Sequence, residues 1–193
     1  MSAIAGYTFG AEGTATSPVS EEELRQLEAT MRWSAADAEA LARHAAIFER
    51  RGEEMVDAWR AVIGAQPHLA QWFFAPDGKP DEAYKARVKA RFVQWVVDVA
   101  TRPHDRAWLD YQEEIGLRHT PAKKNKADGA HTPAVVPLRY LLGFLPVVTD
   151  IRELLRSEIG DEDELRRVEI AWGKAVHLHV ALWTRAYVRE GLW

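Results

Sequence analysis

Apolar positions recur at helical spacing through most of the chain. Leu41, Ala45, Phe48, Met55, Trp59 and Ile63 supply one stripe, and Tyr84, Val88, Phe92, Trp95, Val96 and Val99 supply another. No run alternates with the period of two that a half-buried strand needs, and no segment repeats. The prediction is an all-α chain. Ser20, with Glu23 three residues on, has the form of a capping box and opens a helix to Met31. Ser34 with Asp37 opens a second helix, expected to run, with a bend, to about Ile63, where Gly64 to Pro67 stops it. Residues 68–74 read as a short apolar turn, closed by Pro76-Asp77-Gly78. Helices are predicted over 81–100 and 105–119, the second ended by Thr120-Pro121, because a residue before proline is biased out of the helical region. Lys123, Lys124, Asn125, Lys126, Asp128 and Gly129 mark 121–132 as a solvated loop. A long helix is expected over 136–159, interrupted near Pro146. The last helix follows from acidic Asp161-Glu162-Asp163 to about Val188.

Composition narrows the class. The 193 residues fit one domain, so 1–193 is read as a single unit with residues 1–18 as an extended arm. The balance of 25 basic against 29 acidic side chains argues against a nucleic-acid footprint. No apolar run approaches the ~20 residues of a membrane span. The opening MSAIAGYTFG lacks the basic and apolar regions of a secretory leader, so the expected home is the cytoplasm, with no membrane partner. With no cysteine, disulfides, thiolate-bound metals and iron–sulfur clusters are excluded. Eight tryptophans suit a cofactor pocket or a dense core equally.

Among the seven histidines, His119 is the best placed for metal chemistry. Trp108, Ile115 and His119 fall within about 40° of one another on a helix, with Tyr111 at the edge of that face. An imidazole ending an apolar stripe, with one nitrogen free, can bind haem iron. It can equally cap the helix C-terminus as a cation, and spacing leaves both readings open. His177 and His179, two apart, point to different helix faces and cannot share a metal. No Glu-x-x-His pair, phosphate loop or nucleophile elbow occurs. His44, His68, His104 and His131 are expected to be solvated or capping.

Residues 108–119, Trp-Leu-Asp-Tyr-Gln-Glu-Glu-Ile-Gly-Leu-Arg-His, closely resemble the proximal-helix signature of archaeal and bacterial protoglobins. The likeness spans nearly the whole chain. It takes in Gly6-Tyr7-Thr8-Phe9-Gly10, Pro67-His68-Leu69, Pro76-Asp77-Gly78, Lys123-Lys124-Asn125, Arg139-Tyr140-Leu141 and Val180-Ala181-Leu182-Trp183. What it implies is a globin core over 34–188, an extra leading helix over 20–31, and a deeply enclosed b-type haem with His119 on its iron. By the same likeness Trp59, Arg60 and Phe92 line the distal side, Phe144 and Val148 lie near the haem, and Ile63 and Ile115 complete the cofactor contacts. The family also resembles the sensor domains of globin-coupled sensors, and no signalling module is expected after Trp193. A homodimer through the last two long helices is implied as well.

One residue departs from the family pattern. A tyrosine generally follows the distal tryptophan, and here Arg60 stands in its place. A guanidinium in an apolar pocket is costly without compensation. It must turn to solvent, pair with a propionate or carboxylate, or face an anion such as nitrite; the first two together are the expectation. A second departure, Thr120-Pro121 after His119, removes a rival ligand. Three functional readings follow. The first is a reversible binder of dioxygen, carbon monoxide or nitric oxide. The second is a haem enzyme acting on nitrite, peroxide or nitric oxide, or an engineered carbene- or nitrene-transfer catalyst. The third is a haem-free helical interaction domain.

Overall fold

The computed structural model describes residues 3–189 and 191–193; residues 1 and 2 of the expected arm lie outside them. The described residues are helical, in chain order α1 Glu21–Thr30, α2 Ala35–Arg43, α3 Ala45–Ala65, α4 Pro67–Ala70, α5 Glu82–Thr101, α6 Arg106–Leu117, α7 Leu138–Thr149, α8 Arg152–Arg156 and α9 Glu162–Thr184. Single 3-10 turns follow α4 and α9. The starts are set by side-chain caps, as the sequence implies. Ser20 and Glu23 close a reciprocal box, and Ser34 and Asp37 another. Asp81, Asp105 and Asp161 each accept the backbone N–H three residues on, at 2.9, 2.8 and 2.7 Å.

Three expected boundaries move. The helix drawn from Ser34 to Ile63 is two, parted at His44, whose backbone (φ −106°, ψ 13°) leaves the helical region. The halves have different partners: α2 packs on α9 and α3 on α5. The hydrophobic spacing carries straight through the joint and hides it. The helix drawn over 136–159 breaks at Asp150 and Ile151, not at Pro146, which sits inside α7. Proline leaves the carbonyl four residues back without its donor; that residue is Leu142, 46% exposed, so water can serve. The last helix ends at Thr184 and tightens into a 3-10 turn through Tyr187.

The main core gathers around α9, where Phe48 stacks on Trp172 at 5.0 Å and 9°. A smaller core joins α1, α6 and α9 through Leu24, Trp108, Leu109, Leu178 and Leu182. The arm is docked on the body. Tyr7 donates to Asp98 at 2.7 Å, and the backbone N–H of Ser17 to Asp110 at 2.8 Å. At Gly6 (φ +73°) a Cβ would stand 2.6 Å from the Arg91 guanidinium, which itself donates to the Ala5 carbonyl at 2.8 Å. No helix among the described residues is long and apolar enough to cross a membrane.

Candidate functional site

Helices α3, α5, α6, α7 and α9 and the loop after α6 enclose a cavity of about 400 Å³, within the range of small-molecule sites. The structure brings seven of the eight expected site residues to its wall: Arg60, Ile63, Phe92, Ile115, His119, Phe144 and Val148. Trp59 is not among the lining residues. It is 4% exposed and packs behind Phe92, ring centroids 5.4 Å apart. The apolar stripe of α6 also divides. Ile115, His119 and Tyr111 face the cavity, while Trp108 is buried in the smaller core.

His119 lies just past the end of α6, and several groups fix it. Its Nδ1 is 2.9 Å from the Ile115 carbonyl, so Nδ1 carries the proton and donates. Nε2 is left with its lone pair and has no hydrogen-bond partner among the described residues. Burial pushes the imidazole below its ordinary pKa; the Ile115 carbonyl pulls the other way, and Lys124 and Arg118 add to the drop. The ring therefore stays neutral, the form that binds metal. Its carbonyl is held by the Val136 N–H at 2.9 Å and the Tyr187 hydroxyl at 3.2 Å. The indole of Trp183 stacks on the imidazole and is itself anchored through Nε1 to Gln112 at 3.0 Å. Trp183, Gln112 and Tyr187 were beyond sequence reasoning, because they come from the other end of the chain or from the far face of α6.

One region of the wall, at Arg91, Arg118 and Lys124, is cationic, with Arg87 and Lys123 behind it. Arg87 and Arg91 share Asp128, at 3.0 and 2.6 Å, and Arg118 and Lys123 share Glu114, at 2.9 and 2.5 Å. Each carboxylate thus answers two cations. Lys124 has no carboxylate partner among the described residues. It donates to the Trp72 carbonyl at 2.9 Å and to Thr132 Oγ1 at 2.6 Å, and it lies 5.3 Å from the Tyr84 ring. It is 4% exposed, and burial pushes its ammonium down to about 8. This corrects the expected solvated loop: Lys124 and Thr132 are interior, held by the Asn125 side chain, which donates to the Thr132 carbonyl at 2.5 Å. On the opposite helix pair, Arg60 meets no carboxylate among the described residues. It is half-buried, and its Nη1 donates to the Lys85 carbonyl at 2.8 Å.

The other histidines differ in part from expectation. His131 is exposed, and His44 reaches Glu164 at 3.0 Å. His104 is not solvated: its side chain is 7% exposed and its Nδ1 lies 2.6 Å from Glu28. His179 is 1% exposed and accepts from Trp95 at 2.8 Å.

With this geometry in place, comparison with known proteins is informative. The Protoglobin family model matches residues 20–193. Among solved structures, the globin domain of the Geobacter sulfurreducens globin-coupled sensor is similar, with a TM-score of 0.68 at 16% identity, covering 86% of this chain and 97% of that one. At that identity the likeness speaks for the globin fold alone. No curated protein sequence matches the chain.

Proposed function

The chain belongs to the protoglobin family, and on that premise we propose that it is a globin in which His119 binds the iron of a b-type haem and the cavity takes dioxygen, carbon monoxide or nitric oxide reversibly. The observation that carries this reading is the His119 imidazole, kept neutral by burial, with Nδ1–H tied to the Ile115 carbonyl and Nε2 left as a free donor atom at the cavity wall. A hydrogen-bonded Nδ1 both orients the ring and raises the basicity of Nε2.

The remaining wall suits the same group. Phe92, Ile63, Ile115, Phe144 and Val148 offer apolar surface to a porphyrin face. Arg91, Arg118 and above all Lys124, a buried ammonium without a carboxylate partner among the described residues, would answer propionate carboxylates. Bound there, haem supplies an iron with a coordination position for a diatomic ligand. The protein's own part is to hold the ring, exclude water and leave the distal side short of polar donors. Trp59 acts there through Phe92, by packing behind it. The proposed unit is one domain: arm 1–18, leading helix 20–31 and core 34–188. A second copy is proposed to pair with it through α7 and α9, and a cytoplasmic setting is proposed with it.

Haem titration of the native protein and of His119→Ala tests the reading. A sharp Soret band at one haem per chain is expected for the first, and its loss, with recovery on added imidazole, for the second. An unchanged band in the variant overturns the ligand assignment. No band in either protein returns the chain to the helical interaction domain.

A further inference from the structure

Trp95 lines the cavity and touches Trp59, Trp172 and Trp183. The indole N–H of Trp172 donates to the Val148 carbonyl, and that of Trp183 to Gln112. Trp95, in contrast, donates to a base, Nδ1 of His179, at 2.8 Å. That bond fixes the tautomer of His179: Nδ1 accepts, so Nε2 carries the ring proton. Burial drives the His179 pKa well below the ordinary value, so the ring is neutral and Nδ1 is a weak base, one that takes the indole proton only once Trp95 has lost an electron and its N–H has become strongly acidic.

From His179 a line of rings leads away from the cavity. Trp108 lies edge-on to it at 5.2 Å. His104 stacks on Trp108 at 4.0 Å and 26°, and Trp33 stacks on His104 at 4.9 Å and again at 26°. Trp33 is half-buried, and with His104 it lines a separate surface cleft of about 700 Å³ bordered by α1, α2 and the turn from α5 to α6. Two further features mark this line. Trp108 Nε1 and His179 Nε2, like Trp72 Nε1 at the cavity, are buried donors without a hydrogen-bond partner among the described residues, an arrangement that packing alone does not favour. On the His104 side of the line, the buried Glu28 carboxylate meets His104 Nδ1 at 2.6 Å and the Arg25 guanidinium at 2.5 Å.

We propose that Trp95, His179, Trp108, His104 and Trp33 form an electron relay through which reduction of a hydroperoxide in the cavity draws electrons from a phenolic donor in the outer cleft. The proposal rests on the haem reading of the cavity. Tryptophans are the stations, because indoles lose an electron far more readily than imidazoles, and the two histidines are the bridges. Reduction of hydrogen peroxide to two waters consumes two electrons and two protons. For each electron, Trp95 is oxidised as its Nε1 proton shifts to His179 Nδ1, giving a neutral indolyl radical beside an imidazolium. An electron from Trp108 reduces Trp95, and the proton returns from His179. The cation radical left at Trp108 lies against the stacked His104 ring, whose Nδ1 meets the Glu28 carboxylate. Trp33 then reduces Trp108 and is itself reduced by the phenol, whose O–H bond breaks to give a phenoxyl radical and a proton to solvent. Two phenols are oxidised for each peroxide, and the two protons released match the two consumed.

The test mixes haem-loaded protein with one equivalent of hydrogen peroxide and reads it by freeze-quench electron paramagnetic resonance, using ring-deuterated tryptophan, and by peptide mass mapping. A tryptophanyl signal and an oxidation mark on Trp33 are expected. Trp108→Phe should remove the Trp33 mark. Trp33→Phe, at a half-buried position that does not threaten the core, should leave the mark on Trp108 and abolish oxidation of added guaiacol. An unmarked Trp33 in native protein with a normal Soret band overturns the relay and leaves the haem reading intact. An equal Trp33 mark in Trp108→Phe, or unchanged guaiacol oxidation in Trp33→Phe, overturns it too. A protein that takes up no haem overturns both.

Discussion

The indole of Trp183 lies against the imidazole of His119, ring centroids 5.6 Å apart and 23° from parallel. Gly116 makes this contact possible. A Cβ there would stand 3.1 Å from the Trp183 Cα and 3.2 Å from its carbonyl oxygen, so backbone meets backbone where α6 crosses α9. Gly116→Ala must push the two helices apart. Overpacking of this kind costs ~1–3 kcal/mol, which should appear as a lower urea midpoint and faster haem loss. Gly143→Ala, on an open face of α7 with nothing within 4 Å, should instead gain ~0.5–1 kcal/mol from helix propensity. Equal effects from the two substitutions would remove Gly116 from the account.

How much of this was legible in the sequence differs from residue to residue. His119 could be read because it closes an ordered twelve-residue signature, and the structure places it at the cavity with its tautomer fixed. The caps at Ser20, Ser34, Asp81, Asp105 and Asp161 could be read because capping is local chemistry. Lys124 could not. A lysine among Lys123, Asn125 and Lys126 looks solvated until Thr132 and Trp72, eight and 52 residues away, close over its ammonium. The break at His44 was equally hidden, since it depends on α2 and α3 choosing different partners. Trp59, expected at the cavity wall from the family likeness, packs one layer back behind Phe92, because a likeness in sequence gives a position along a helix and not a depth.

Lys124 gives the protein a stability profile that rises on the alkaline side. Burial lowers its folded pKa to about 8, against about 10.4 in an unfolded chain. Below pH 8 both states hold the proton, and the fold carries the full desolvation penalty. Between these values the folded protein has released the proton and the unfolded chain has not, so stability rises with pH, by at most ~1.4 kcal/mol per unit. Urea unfolding of the haem-free protein from pH 7.5 to pH 10 should show this rise, and Lys124→Met should flatten it. Haem-loaded protein should also lack it, because a propionate beside the ammonium restores an ordinary pKa. An identical slope in native protein and Lys124→Met would place the titration elsewhere.

The proposed dimer puts exposed apolar side chains to use. Leu142 on α7 and Ile170 on α9 are 46% and 48% exposed, and the two helices pack on each other. Such residues are expected at the buried centre of a two-fold helical interface. Sedimentation at micromolar concentration should give a dimer, and Leu142→Glu combined with Ile170→Glu a monomer with its Soret band intact. A native monomer would end the proposal.

On the proposed gas-binding reading, Arg60 is the residue that would set how the distal side treats its ligands. Its Nη1 is committed to the Lys85 carbonyl at 2.8 Å, which draws the guanidinium toward the backbone of α5. On that reading bound dioxygen, whose outer atom carries negative charge, would lack from Arg60 a hydrogen bond of the strength that charged partners give, ~1.5–3 kcal/mol. Arg60→Tyr should restore one and slow dioxygen release by a factor on the order of ten, at ~1.4 kcal/mol per decade. Carbon monoxide, with less charge on its outer atom, should respond far less. The opposite arrangement has its own signature. If the guanidinium leaves Lys85 for the ligand, native protein should hold nitrite more tightly than Arg60→Leu, and the tyrosine variant should gain little for dioxygen. Stopped-flow measurement of dioxygen and carbon monoxide release, with nitrite titration of the ferric form, separates the two. Equal values for native protein, Arg60→Tyr and Arg60→Leu would mean that the carbonyl of Lys85 holds the arginine out of the chemistry altogether.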